Sequence, residues 1–109
     1  EGHERRGSEV GSVPASVYTD PAYYERERAA IFDRLPQVLC PSALIPEPGM
    51  AVPHDGTGRP LLITRDADDI VHVFLNVCRH RGAKLEREAQ GCKSVFTCPY
   101  HGWSWTNRA

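Results

Sequence analysis

Residues Cys78–Gly82 read CRHRG and residues Cys98–Trp103 read CPYHGW, and the fold turns on what these two stretches hold. Each offers one cysteine and one histidine, spaced C-x-H in the first and C-x-x-H in the second, with 17 residues between His80 and Cys98. Thiolates and imidazoles are ligands for zinc, iron and copper, whereas magnesium and calcium take oxygen donors. Cys78, His80, Cys98 and His101 are therefore read as one metal-binding set. Zinc is the plainest candidate, but structural Cys2His2 sites usually put both cysteines in one arm and both histidines in the other. Here each arm mixes the two types.

Working outward, both stretches follow strand-like runs: FLNV leads into Cys78 and SVFT into Cys98. Upstream, GMAVPH (49–54) and RPLLITRD (59–66) flank DGTG, a hairpin signal, and DADD (66–69) turns the chain into the β-branched and aromatic run IVHVFLNV (70–77). WSW (103–105) is a further short strand candidate. Two loops at strand ends, each carrying a cysteine and a histidine, can converge on one point. Earlier in the chain, five of the nine prolines fall between Pro36 and Pro53, which excludes helix and predicts an extended arm packed over a surface. TDPAYYERERAAIFDRL (19–35) predicts a helix capped by Thr19 or Asp20, with Pro21 in its first turn. Tyr24, Ala30, Ile31 and Leu35 give it an apolar stripe, and Pro36 stops it. Residues 1–13 are polar and Gly/Ser-rich. The expected organisation is a flexible tail over 1–16, the helix and proline-rich arm over 17–48, and a metal-binding β domain over 49–109 that is incomplete at its C-terminal end.

With 109 residues, 40% hydrophobic and 25% charged, the chain allows one domain with a modest core. A domain this small gains from a covalent or metal staple, because it buries a smaller share of its surface. Thirteen basic and 14 acidic residues give a net charge of −1, which leaves no concentrated basic footprint for nucleic acid. No apolar run approaches the roughly 20 residues of a membrane helix, and the N-terminus lacks the apolar core of a signal peptide. The expectation is a cytoplasmic protein without a membrane partner, in which four cysteines point to metal binding before disulfides.

A 2Fe-2S cluster with one iron on two thiolates and the other on two imidazoles takes one Cys and one His from each loop. At this point the sequence resembles a known family: CRHRG…CPYHGW is similar to the Rieske iron–sulfur motif in its four ligand positions, its spacing and the glycine in each loop. Rieske subunits of respiratory bc complexes carry an extra cysteine in each loop and a serine after the second. Ala83, Tyr100 and Trp103 stand in those places here. Without that disulfide and hydroxyl donor, a potential toward the low end of the roughly −150 to +300 mV Rieske range is expected.

The flanks extend the likeness. From about Val17 to Trp105 the chain resembles the N-terminal part of the large (α) subunit of Rieske non-haem iron ring-hydroxylating oxygenases. One departure is Leu35-Pro36, where the family commonly has a tryptophan after the helix. The resemblance implies a mostly β fold, a small antiparallel sandwich with two cluster-binding loops, preceded by an N-terminal helix. It implies that Cys78 and Cys98 hold the buried iron and His80 and His101 the iron nearer the surface. It also implies electrons arriving from a ferredoxin or flavin reductase and passing to a mononuclear Fe(II) in a separate C-terminal catalytic domain, His101 facing an acidic residue that bridges to that iron in a neighbouring α subunit. Nothing in these residues supplies that second iron site, since His3, His54 and His72 fall in a tail, a turn and a strand. The chain is thus expected to carry an electron as part of an aromatic-ring-hydroxylating dioxygenase or monooxygenase, but to hold no catalytic residue itself. The alternatives are a free-standing Rieske-type ferredoxin, which usually lacks the helix and arm, and a structural zinc module.

Around the four ligands, Arg81, Gly82, Tyr100, Gly102 and Trp103 are read as supporting residues. The glycines allow backbone N–H groups close to the sulfides, or serve turn geometry alone. Tyr100 and Trp103 shield the site or pack a core. Arg79, Arg81 and Lys84 stabilise an anionic centre, dock an acidic donor, or form a solvated loop. Cys40 and Cys92 lack a histidine at ligand spacing and are read as non-ligands.

Overall fold

The computed structural model describes residues 11–108, and the first ten residues of the expected tail, His3 among them, lie outside that range. The chain divides into two units, one ending at Gln37 and the other starting at Val38.

In the first unit a 3-10 turn at Ala15–Tyr18 precedes helix α1, Pro21–Glu27. Asp20 caps the helix, its Oδ1 accepting the Ala22 N–H at 2.9 Å, and Pro21 takes the first position, where a missing N–H costs nothing. Sequence periodicity predicted one helix through Leu35. Instead the α-helical ladder ends at Glu27 and widens into a π turn at Arg28–Phe32. The expected stripe is not a buried face: Tyr24, Ala30, Ile31 and Leu35 are all exposed. Apolar spacing shows which side chains could share a helix face, not that the face is covered.

The second unit is antiparallel β. Four strands, β1 (Met50–His54), β2 (Leu61–Arg65), β3 (Val71–Leu75) and β4 (Gly91–Cys92), form one sheet in the order β3-β2-β1-β4. Strands β5 (Val95–Thr97) and β6 (Ser104–Thr106) form a separate hairpin. DGTG closes the β1–β2 hairpin with Gly58 at φ 75°, and DADD closes β2–β3 with Asp69 at φ 66°, so both turn signals are realised. β2 is central and buried, while β3 on the edge alternates, with Val71, Val73 and Leu75 exposed.

The pairing register sends alternate residues of β1 and β2 to opposite faces. Val52 and Ile63, directly paired, pack with Ile45 under Leu39 and Cys40 of the proline-rich arm. Ala51 and Leu62 face the other way and pack with Phe96 of β5 and with Leu85. The sheet is thus covered by the arm on one side and by the β5–β6 hairpin on the other, a small sandwich. Among the described residues no helix is long and apolar enough to cross a membrane.

Candidate metal centre

Each of the two sheets delivers one loop. β3 runs through Asn76 and Val77 into residues 78–83, and residues 98–103 join β5 to β6. The two loops fold identically. The Cys78 N–H donates to the Ala83 carbonyl at 2.7 Å and the Gly82 N–H to the Cys78 carbonyl at 2.9 Å; the Cys98 N–H donates to Trp103 at 2.7 Å and the Gly102 N–H to Cys98 at 2.9 Å. Gly82 and Gly102 sit at φ 77° and 76°, and no heavy atom lies within 4 Å of where a Cβ would stand. Backbone conformation, not crowding by the chain, is what asks for glycine at both places.

The cysteines take the same place in both loops, while His80 stands two residues after its cysteine and His101 three. Cys78 and Cys98 are buried, at 1% and 2% exposure, whereas His80 and His101 are exposed with ring centroids 4.8 Å apart. Burial pushes the Cys78 thiol toward its protonated form, but the N–H groups of His80 and Arg81, the Cys98 thiol and the Trp105 indole outweigh it and lower its pKa. Trp105 Nε1 is buried and makes no hydrogen bond of ordinary geometry, so its proton is left without a full acceptor beside Cys78. A sulfur-rich group at this spot would supply one.

Aromatic rings tie the loops together above the thiols. Trp103 of the second loop stacks on His80 of the first at 4.6 Å and 6°, Tyr100 leans on His101 at 3.9 Å, and the Arg81 guanidinium lies over the Tyr100 ring at 5.5 Å. Tyr100 and Trp103 remain about half exposed, so they hold the imidazoles rather than bury them. Lys84 pairs with Asp55 at 2.8 Å.

Whether four donors surround one ion or two can be tested on this geometry. A zinc ion needs its ligands within roughly 2.0–2.3 Å of a single point. Among the described residues no group of three or more His, Cys, Asp or Glu side chains is placed to hold a metal ion. Two buried thiols and two exposed imidazoles, arranged as separate pairs, suit a binuclear cluster in which each iron takes two protein ligands and the remaining positions are sulfide.

Residues outside the motif hold the first loop from below. Asn76, fully buried, donates its side-chain amide to the Glu86 carbonyl at 2.8 Å and accepts the Glu86 N–H at 2.9 Å. The buried Glu86 carboxylate takes the N–H groups of Arg87 and Glu88 and the Lys93 ammonium at 2.7 Å. Burial raises its pKa less than those donors lower it, so it stays ionised, while the Glu86 partner raises that of Lys93. Sequence reading passed over these residues and Trp105. Only Trp105 left a signal, since it alternates with Trp103 on a strand and shares its face. Cys40, in the arm, packs against Ile45, Val52 and Ile63, and Cys92 lies exposed in β4; all four cysteines are free thiols. His54 ends β1 with Nδ1 buried and unpartnered, and His72 bonds Asp66 at 2.9 Å.

Comparison with known proteins gives the arrangement its relatives. Residues 36–109 match the Rieske [2Fe-2S] domain family. The chain is 34% identical over 96 residues, 88% of its length, to the anthranilate 1,2-dioxygenase large subunit of Acinetobacter baylyi, of which it covers 20%. It is 42% identical over 90 residues, 83% of its length, to the chloroplastic choline monooxygenase of Spinacia oleracea, again covering 20%. Among solved structures, naphthalene 1,2-dioxygenase from Rhodococcus sp. superposes with a TM-score of 0.81 at 36% identity, over 88% of this chain and 22% of that one. The chain therefore spans about a fifth of the length of the curated relatives it matches.

Proposed function

Since this chain belongs to the Rieske [2Fe-2S] domain family, we propose that it is the electron-transfer domain of a ring-hydroxylating oxygenase large subunit. The observation that carries the reading is the pair of loops with matching backbone hydrogen bonds, each with one buried cysteine and one exposed histidine. In this reading Cys78 and Cys98 hold the buried iron, and His80 and His101 the iron nearer the surface. Bound there, a 2Fe-2S cluster supplies a one-electron redox couple. The protein's part is to keep the thiols dry, to aim N–H groups of His80, Arg81 and Trp105 at sulfur, and to leave the imidazole edges open to a docked partner.

The partners in this reading are an electron-donating ferredoxin or flavin reductase, and a catalytic domain with a mononuclear Fe(II), in the same or a neighbouring subunit. Arg79 and Arg81, exposed beside the histidines, offer a cationic surface to an acidic donor. Four unpaired thiols support a reducing compartment, the cytoplasm. Preference for the oxygenase over a free-standing carrier rests on the likeness to large subunits through the helix and arm, 88% of the chain.

The test is iron and acid-labile sulfide per purified chain, with EPR after dithionite reduction. Two irons, two sulfides and a low-average-g Rieske signal are expected. Zinc without sulfide would overturn the reading.

A further inference from the structure

The two loops ride on different sheets, and among the described residues no strand pairing joins the β5–β6 hairpin to the four-stranded sheet. Their mutual placement depends on what bolts the hairpin down. On the side near the loops this is the packing of Phe96 on Ala51 and Leu62. At the far end it is a polar clamp. Three consecutive residues from the end of β2 grip the two residues that follow β6: the Thr64 hydroxyl donates to the Asn107 carbonyl at 2.8 Å, the Arg65 carbonyl accepts from the Asn107 amide at 3.5 Å, and Asp66 Oδ2 accepts from Arg108 Nε at 3.0 Å.

Asp66 is the hub. Its side chain is buried, 2% exposed, yet every acceptor position is used. Oδ1 takes the N–H groups of Asp68 and Ile70, each at 2.9 Å, and Oδ2 takes His72 Nε2 at 2.9 Å as well as Arg108. Arg108 also pairs with Asp68. One carboxylate thus fixes the β2–β3 turn, the start of β3 and the end of β6. β3 leads to the first loop, and β6 descends from the second.

We propose that Asp66 is a positioning residue that sets the distance and angle between the two cluster-binding loops. The lever is short. Three residues of strand separate the clamp from Cys98, roughly 10 Å, so a tilt of about 5° moves that ligand by roughly 1 Å, beyond the ~0.5 Å that ligand geometry tolerates. The inference rests on the cluster assignment above.

The test compares the wild-type chain with Asp66→Asn, Arg108→Gln and Asp69→Asn. Asp66→Asn keeps shape but loses one acceptor oxygen, and Arg108→Gln breaks the same bond from a half-exposed side chain, where folding is at less risk. Asp69 lies on the same turn, is itself exposed, pairs with Arg65, and serves as the control. Cluster content, EPR g values and reduction potential are read alongside the melting temperature. A loss of iron and sulfide per chain, with shifted g values or potential in the clusters that remain, is expected for the first two and not for Asp69→Asn. A lower melting temperature with wild-type g values and potential in Arg108→Gln would overturn the proposal, whether or not Asp66→Asn retains a cluster. A wild-type chain without any cluster would instead overturn the electron-transfer reading on which it stands.

Discussion

Truncating Phe96 to alanine tests how the hairpin is attached. Phe96 is 3% exposed and packs on Ala51, Leu62 and Leu85 as the main apolar link between the two sheets. A buried aromatic side chain hides roughly 150–250 Å², worth about 4–6 kcal/mol at roughly 25 cal/mol per Å². Phe→Ala losses in cores run about 3–5 kcal/mol, the spread reflecting how far the hole can relax. Here the space beside Phe96 already opens into an apolar groove of about 430 Å³, lined by Leu62, Phe74, Leu75, Val77, Leu85 and Trp105 among others. The new void joins that groove instead of forming a sealed cavity, which places the expected loss near 3 kcal/mol. Against a total stability of about 5–15 kcal/mol this is severe. Urea unfolding of the variant, followed by tryptophan fluorescence and by bleaching of the visible band, should show the midpoint falling by about 2–3 M if m is roughly 1 kcal/mol/M. Phe96→Leu should recover more than half of it. A loss below about 1 kcal/mol would refute the view that Phe96 carries the joint.

Three further outcomes are expected. Gly49→Ala meets both a left-handed backbone, φ 87°, and the Cys92 Sγ, 3.0 Å from the new Cβ; the backbone alone costs about 1–2 kcal/mol, so the melting temperature should drop by roughly 5–10 °C. Adding Cys92→Ala should restore only the steric part, and an unchanged melting temperature for the single variant would contradict the local geometry. The bond from His72, the Ile70 N–H and Arg108 together hold the Asp66 pKa at about 2, below its ordinary 3.8, against the opposing effect of burial. A depressed carboxylate adds stability above pH 3.8 that drains away as pH falls toward 2, so acid unfolding by circular dichroism should be less steep in that window for Asp66→Asn than for wild type. Parallel curves would remove Asp66 from the acid response. Finally, Trp105→Phe deletes the only unpartnered indole proton beside Cys78 among the described residues, and a redox titration should find its potential below wild type, because a donor to sulfur stabilises the reduced centre. An unchanged potential would mean that the indole is not aimed at sulfur.

Much of the β unit was legible because its signals are local. DGTG and DADD specify their turns within four residues, and the β-branched and aromatic run IVHVFLNV marks a strand without reference to anything distant. The loops were legible for the same reason: a cysteine, a histidine and a left-handed glycine within six residues define each one. The helix misled because periodicity reports which side chains could share a face, not whether another layer exists to cover it; Ile31 and Leu35 are apolar and exposed. Strand β4, Gly91–Cys92, pairs only with Met50 and Ala51, too short a run to leave a pattern.

What the sequence hides most completely is the joint between the loops, and the reason is distance along the chain. Asp66 and Arg108 are 42 residues apart, as are Arg65 and Asn107, and Thr64 and Asn107 are 43 apart. Nothing in the alphabet of either segment names the other: an aspartate in DADD reads as a turn residue, and an arginine after WSWTN as a surface charge. Yet a cluster held by two loops demands more of their separation than of either loop's own shape, since each loop is fixed by its own pair of backbone bonds. A substitution inside CRHRG or CPYHGW removes a ligand or distorts a turn and is seen at once. One at Asp66 or Phe96 leaves both loops intact and moves them apart, so damage there should register in the centre's spectrum while the motif still reads as whole.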